Sequence, residues 1–340
     1  MCSPRCRMQC TAQTKMNCSI TRLFSSSIAA ALAVAAVCAV AQPFPAKPVR
    51  FIVPYAAGGG VDIVTRTLAQ KLTEIAGQSF VVDNRPGGNA NIASEAVARA
   101  APDGYTLLMG SPANAVNGSL FSKLPYDTLR DFAPVALVGY GPLVLVVHPS
   151  VPAHTVRELI ALCKARAGQI NYASGGNGTS QHLAGELLRV TTGISVVHVP
   201  YKGAAPALVD LIGGQIAFMF NNTLEVLPYA KSGRLRPLAM ASTQRAVVMP
   251  EVPTFAEAGY KGFEATVWWG VLAPAATPKD VIARLTADIG RALRAPDMKE
   301  KFTALGAEIT GGTPEQYADF LKNEITKWAG VIKASGIRAD

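Results

Sequence analysis

Two α/β lobes are what this sequence predicts, on three observations. Strand-like and helix-like segments alternate from residue 49 onward at helix-length spacing. The alternation restarts after a strongly apolar run at 142–148. One device, a strand followed by a glycine-rich turn and a helix start, occurs in each half, at 51–62 and at 171–181.

The chain has 340 residues, 49% of them hydrophobic, with 32 Lys and Arg against 23 Asp and Glu. That length supports about two domains, each with its own core. The apolar fraction excludes a disordered chain, and polar residues interrupting the apolar runs after residue 50 exclude a multi-span membrane protein.

The leader comes first. Residues 1–41 hold Arg5, Arg7, Lys15 and Arg22, no acid, an uncharged apolar stretch at 28–41, and the ending Ala39-Val40-Ala41. This is the pattern of a secretory signal peptide, cleaved near Ala41, with Met16 as an alternative start. Val37 before Cys38 does not fit a lipoprotein signal. Removing the leader lowers the formal charge from +9 to +5 and takes away five of six cysteines. Cys163 alone remains, which excludes an internal disulfide and a cysteine metal cluster. It sits among Leu159, Ile160 and Leu162 and reads as a small core residue.

The elements follow in order. Residues 49–53 read as a buried strand closed by Pro54; Gly58-Gly59-Gly60 then leads into an amphipathic helix starting at Asp62. A strand at 80–82, a helix at 92–100 and a strand at 105–109 complete the first parallel unit. After the strand at 142–148, Thr155 caps a helix reaching Cys163, 170–173 is a strand, and Gly175 to Gly178 form the second glycine turn. Thr179 or Ser180 caps the helix 181–189. Strands are expected at 196–199, 216–220, 235–240 and 268–272, and a helix at 204–212. Three helices start near Pro278, Pro296 and Pro314, where proline suits a first turn.

Several chemistries fail on spacing. Gly178-Thr-Ser180-Gln-His182 lacks the closing glycine of a nucleophile elbow, so Ser180 reads as a cap, and a Ser180–His182 hydrolase stands only as a rival reading. The histidines at 148, 154, 182 and 198 show no zinc-hydrolase pairing, and His148 and His198 lie in apolar strands as structural residues. Neither glycine turn matches a phosphate or dinucleotide loop, and the dispersed basic residues do not suggest nucleic acid. Turns of this kind can still hold an anion, through free backbone N–H groups and a helix N-terminus carrying about half a positive charge.

The segments Pro54-Tyr-Ala-Ala-Gly-Gly-Gly-Val-Asp62, Asp83-Asn-Arg-Pro-Gly-Gly88 and Ala101-Pro-Asp-Gly-Tyr-Thr-Leu-Leu108 resemble the substrate-binding proteins of tripartite tricarboxylate transporters, the Bug family. So do Lys123-Leu-Pro-Tyr-Asp127, Tyr172-Ala-Ser-Gly-Gly-Asn-Gly-Thr-Ser-Gln-His182 and Val199-Pro-Tyr-Lys-Gly-Ala-Ala-Pro206, and the likeness runs in order through 47–335. The resemblance implies a two-lobe periplasmic-binding-protein fold, type II-like, that closes on a small carboxylate like a flytrap. Each lobe is then a mixed, mostly parallel sheet flanked by helices. The expected lobes are 42–146 with 265–340, and 147–264.

The same resemblance implies the ligand-binding residues. Tyr55, Ala57, Gly59 and Asp62 lie on one turn, and Ser174, Thr179, Ser180 and Gln181 on the other. Ser111 and Asn114 follow the first lobe's third strand, Tyr201, Lys202 and Gly203 lie on a later loop, and Asn221 and Asn222 after 218–220. The implied function is periplasmic capture of a carboxylate and delivery to membrane transporter subunits, by a monomer without catalysis, cofactor or metal. A ligand-sensing partner of a membrane signalling protein is the rival role. Asn221 stands where the family often has an acid, which disfavours a ligand ammonium; the role of Asn89 is left open.

Overall fold

Strand β1 (Val49–Val53) buries every residue except Arg50, as an apolar strand covered on both faces must. The computed structural model describes residues 44–201, 203–304 and 306–339, so the leader and its expected cleavage site lie outside the described residues. The elements all belong to one unit beginning at Lys47.

From β1 the chain turns into α1 (Gly60–Ala76), which buries Val64, Leu68 and Leu72 and ends on Gly77 in the left-handed conformation. β2 (Phe80–Asn84), α2 (Asn91–Ala98), β3 (Thr106–Gly110) and α3 (Pro112–Leu120) follow. β4 (Phe132–Val147) is 16 residues long. The second half of the chain begins with α4 (Val156–Ala165), β5 (Asn171–Ser174), α5 (Ser180–Thr192), β6 (Val197–Pro200) and α6 (Ala204–Ile212). β7 (Phe218–Asn222), α7 (Thr223–Lys231) and β8 (Arg236–Met240) complete that unit. The chain then returns through β9 (Thr266–Pro274), α8 (Lys279–Arg294), α9 (Pro296–Ala304), β10 (Glu308–Ile309) and α10 (Pro314–Ser335).

The sheet order is β2-β1-β3-β9-β4-β7-β5-β6, with β8 and β10 both paired to β4. β1 lies parallel to β2 and β3, and β5 parallel to β6 and β7, as the alternation predicts. β4 and β9 run antiparallel to their neighbours. The protein is therefore a two-lobe periplasmic-binding-protein fold whose sheet halves meet on β4. Residues 132–142 of β4 pair with β9, and 143–147 pair with β7 and β8.

Side chains alternate along the shared part of β4. Leu143, Leu145 and Val147 join one apolar cluster with Ile52, Leu108, Phe218 and Trp268, while Val144 and Val146 join another with Met219 and Met240. Full burial of each such side chain contributes about 1.5–3 kcal/mol. Cys163 is fully buried on α4, and burial pushes its thiol up to about 11, which makes it an inert core residue.

Candidate ligand site at the strand-to-helix turns

The carboxyl ends of β1, β3, β5, β6 and β7 each run within a few residues into a helix N-terminus. In doubly wound sheets this edge is where ligands bind. The turn after β1 is held from behind. Gly58, at φ 85°, donates its N–H to Asp62 Oδ2 at 2.9 Å, and only a residue without a Cβ adopts that φ freely. Arg66 Nε donates to the same oxygen at 2.9 Å, and Asn84 donates to Oδ1 at 2.9 Å and to the Tyr55 carbonyl at 3.0 Å. Burial raises the Asp62 pKa, but the bonds from Arg66, Gly58 and Asn84 outweigh it and hold the carboxyl below its usual range.

Asp62 is thus a buried positioning residue with both oxygens occupied. Ala57 is exposed and Gly59 half-buried on the same turn. Gly59 is the N-cap of α1 and offers no side chain to the leading N–H groups of the helix. Tyr55 shares a hydrogen bond of 3.1 Å with Ser111, the N-cap of α3, which ties the first turn to the third strand's turn. Burial raises the Tyr55 phenol, so it stays protonated. Asn114 accepts from the Ser111 N–H and donates to Ser94, and it is 1% exposed, which makes it part of the support.

The second turn is built on Ser174 and Thr179. The Ser174 hydroxyl accepts from the Gly176 N–H at 3.1 Å and shares a 2.7 Å bond with His198 Nε2. Thr179 caps α5 by accepting from the His182 N–H and donates its hydroxyl to the Gly176 carbonyl at 2.8 Å. The cap is therefore Thr179. Ser180, half-buried in the first turn of α5, makes no side-chain hydrogen bond among the described residues. His182 Nδ1 instead accepts from the Gly178 N–H at 3.0 Å. No hydrogen bond joins Ser180 to His182 among the described residues, so the dyad of the hydrolase reading is not assembled.

The later loops close around this turn. Gly203 donates to the Gly175 carbonyl and Tyr201 N–H to the Ser174 carbonyl, both at 3.0 Å. Tyr201 hydroxyl donates to Asp210 at 2.6 Å, and burial together with that carboxylate pushes the phenol up to about 12. Gly203, the N-cap of α6, again offers no side chain. Gln181 donates to Asn221 Oδ1 at 3.4 Å, Asn221 donates to Glu225 at 3.0 Å, and Asn222 caps α7 through the Leu224 N–H. Lys202 lies outside the described residues.

The two sets of turns approach one another at Gly178. A Cβ there would stand 2.2 Å from Leu120 Cδ2 and 2.7 Å from Asn89 Nδ2, both in the first half of the chain. Asn89, at φ 49°, donates to Asn117 Oδ1 at 2.9 Å and accepts through its carbonyl from Asn117 at 2.7 Å. Asn84, Arg66, Glu225 and the His182–His198 pair complete the site's support, and sequence reading missed them in this role. The Asp62–Arg66 spacing of four was the one visible signal. Among the described residues there is no metal-binding cluster, and no helix is long and apolar enough to cross a membrane.

Known proteins resemble the chain in sequence and in fold. Residues 64–337 match the tripartite tricarboxylate transporter family receptor, TctC. The chain is 42% identical over 300 residues to Protein BugT of Bordetella pertussis, covering 88% of this chain and 92% of that one. A solved structure of R. palustris Rpa4515 with adipate superposes with a TM-score of 0.81 at 35% identity, covering 87% of this chain and 99% of that one. MatC from Rhodopseudomonas palustris with bound malate gives 0.78 at 32% identity, over 85% and 100%. The chain belongs to the tripartite tricarboxylate transporter receptor family.

Proposed function

We propose that this protein is a periplasmic solute receptor without catalytic activity, which captures a small carboxylate between the two turns and delivers it to membrane transporter subunits. The observation that carries the reading is the pair of helix N-termini without side-chain caps, at Gly59 and Gly203, together with the unengaged Ser180 hydroxyl in the first turn of α5. Neutral N–H dipoles and hydroxyls can hold an anion in a water-poor cleft without a buried cation. The adipate and malate in the names of the two structural relatives are carboxylates of this size. The lobes would be 42–146 with 265–340, and 147–264, closing on the ligand as a monomer. The basic, acid-free segment 1–41 fits export.

In this reading Tyr55, Ala57, Gly59, Ser180 and Gly203 touch the ligand. Asp62, Asn114, Ser174, Thr179 and Tyr201 hold the turns in place. Gln181, Asn221 and Asn222 line the second-lobe end. A thermal-shift screen over carboxylates, starting with adipate and malate, tests the proposal. Ligand at 100 times its Kd should add about 2.7 kcal/mol to stability. Stabilisation by neutral sugars and by no carboxylate would overturn it. Ser180→Ala should weaken binding while neither form shows esterase turnover.

A further inference from the structure

A groove of about 660 Å³ shares no residue with the turns just described. Its size falls within the roughly 300–1,000 Å³ of small-molecule sites. One wall is 244–248, after β8; the other runs from the end of α8 through α9 to β10. Pro142 of β4 completes it, at the point where β4 leaves Thr266 of β9 and Leu143 takes up Asn222 of β7. The groove therefore follows the joint between the lobes, with one wall from each.

Its surface is apolar with a positive rim. Ala246, Leu293 and Phe302 form its buried floor, Val248 and Ile309 are half-buried, and Val247 is 76% exposed, the most exposed large hydrophobic side chain among the described residues. Four charged side chains line it. Arg245 is ion-paired with Glu257 at 2.9 Å, and Glu308 accepts the Tyr140 hydroxyl at 2.7 Å. Arg294 and Lys299 have no ion pair among the described residues. Two unpaired cations beside an uncovered apolar surface suit an organic anion with an apolar body. Exposed charge pairs alone bring little affinity, so the apolar part must supply most of it.

We propose that this groove is a second ligand site, which takes a free fatty-acid-like monocarboxylate. The carboxylate faces Arg294 and Lys299, and the tail lies along Val247, Val248 and Ile309. Its occupant touches both lobes.

Titration calorimetry with hexanoate, octanoate and decanoate tests this. Binding should be one to one, with affinity rising roughly fourfold for each added methylene until the groove is filled. The double variant Arg294→Gln, Lys299→Gln should lose about threefold to tenfold in decanoate affinity, and decanol should bind the parent protein no better than decanoate binds that variant. Val247→Asp, at an exposed position that cannot disturb the core, should lower decanoate affinity by a further factor. A crystal structure with decanoate reads the position directly. Equal binding of decanol and decanoate, indifference to all three substitutions, or decanoate seated at the glycine turns would each overturn the proposal; the first two leave carboxylate binding at the turns untouched, and the third would support it.

Discussion

The imidazole rings of His182 and His198 stack face to face, 3.9 Å between centroids and 10° between planes, beneath the second glycine turn. Burial lowers the His182 pKa to about 4, helped by the nearby Arg189 charge; burial and then His182 lower His198 to about 4, against an opposing pull from Glu186. In an unfolded chain both rings take up protons near pH 6.5. Between about pH 6.5 and 4 the unfolded state binds more protons, so stability is fully present above that window and falls as pH drops through it. Urea denaturation at pH 7 and pH 5 should show a loss of a few kcal/mol at the lower pH. In His198→Phe, which keeps the stacking ring but not the charge, roughly half of that dependence should disappear.

Asp62 holds three donors from three segments. Asp62→Ala leaves the Gly58 N–H, Asn84 and Arg66 without their acceptor and should cost about 2–3 kcal/mol in thermal unfolding. Ligand affinity should fall more than tenfold, because the turn carrying Ala57 and Gly59 loses its anchor. A variant with intact affinity would show that the turn is rigid without it.

At Gly178 the second glycine turn lies against Leu120 and Asn89 of the first half of the chain. Gly178→Ala adds a Cβ at φ 76°, against Leu120 and Asn89. The lobes should be wedged apart, giving a larger radius of gyration by small-angle scattering and roughly tenfold weaker carboxylate binding, with a strain cost of about 1–2 kcal/mol.

Gly185 reads as an ordinary small residue on α5, but a Cβ there would stand 2.2 Å from the Tyr172 ring. Tyr172 is fully buried, stacks on His198 and Phe218, and donates its hydroxyl to Glu186 at 2.9 Å, so it cannot yield. Gly185→Ala should destabilise by about 1–3 kcal/mol, measured by thermal or chemical denaturation.

Both turns are legible in the sequence because glycine and capping chemistry are local. Gly58, Gly178 and Thr179 announce their conformations within a few residues. α3 is illegible for the opposite reason. Pro112 to Asn117 are all buried, so the helix has no polar stripe from which a period could be read. α7 hides behind Pro228, and the first half of β4 behind Pro134, Gly139 and two register shifts. Support residues such as Asn84 and His198 become visible only when strands distant in sequence lie side by side. The expected mixed, mostly parallel sheet forms, with β4 and β9 as antiparallel members whose direction depends on the return of the C-terminal segment.

A strand that hydrogen-bonds into both sheet halves also sets how the chain can fold. The first sheet half lacks its central partner until residues 266–274 of β9 arrive, about 120 residues after β4 ends at 147, so it cannot complete its native pairing before then. Synthesis from the N-terminus leaves β3 and β4 with open edges until residues 266–274 are made. The protein should accordingly refold slowly, in one cooperative transition, and its separated halves should regain structure only when mixed.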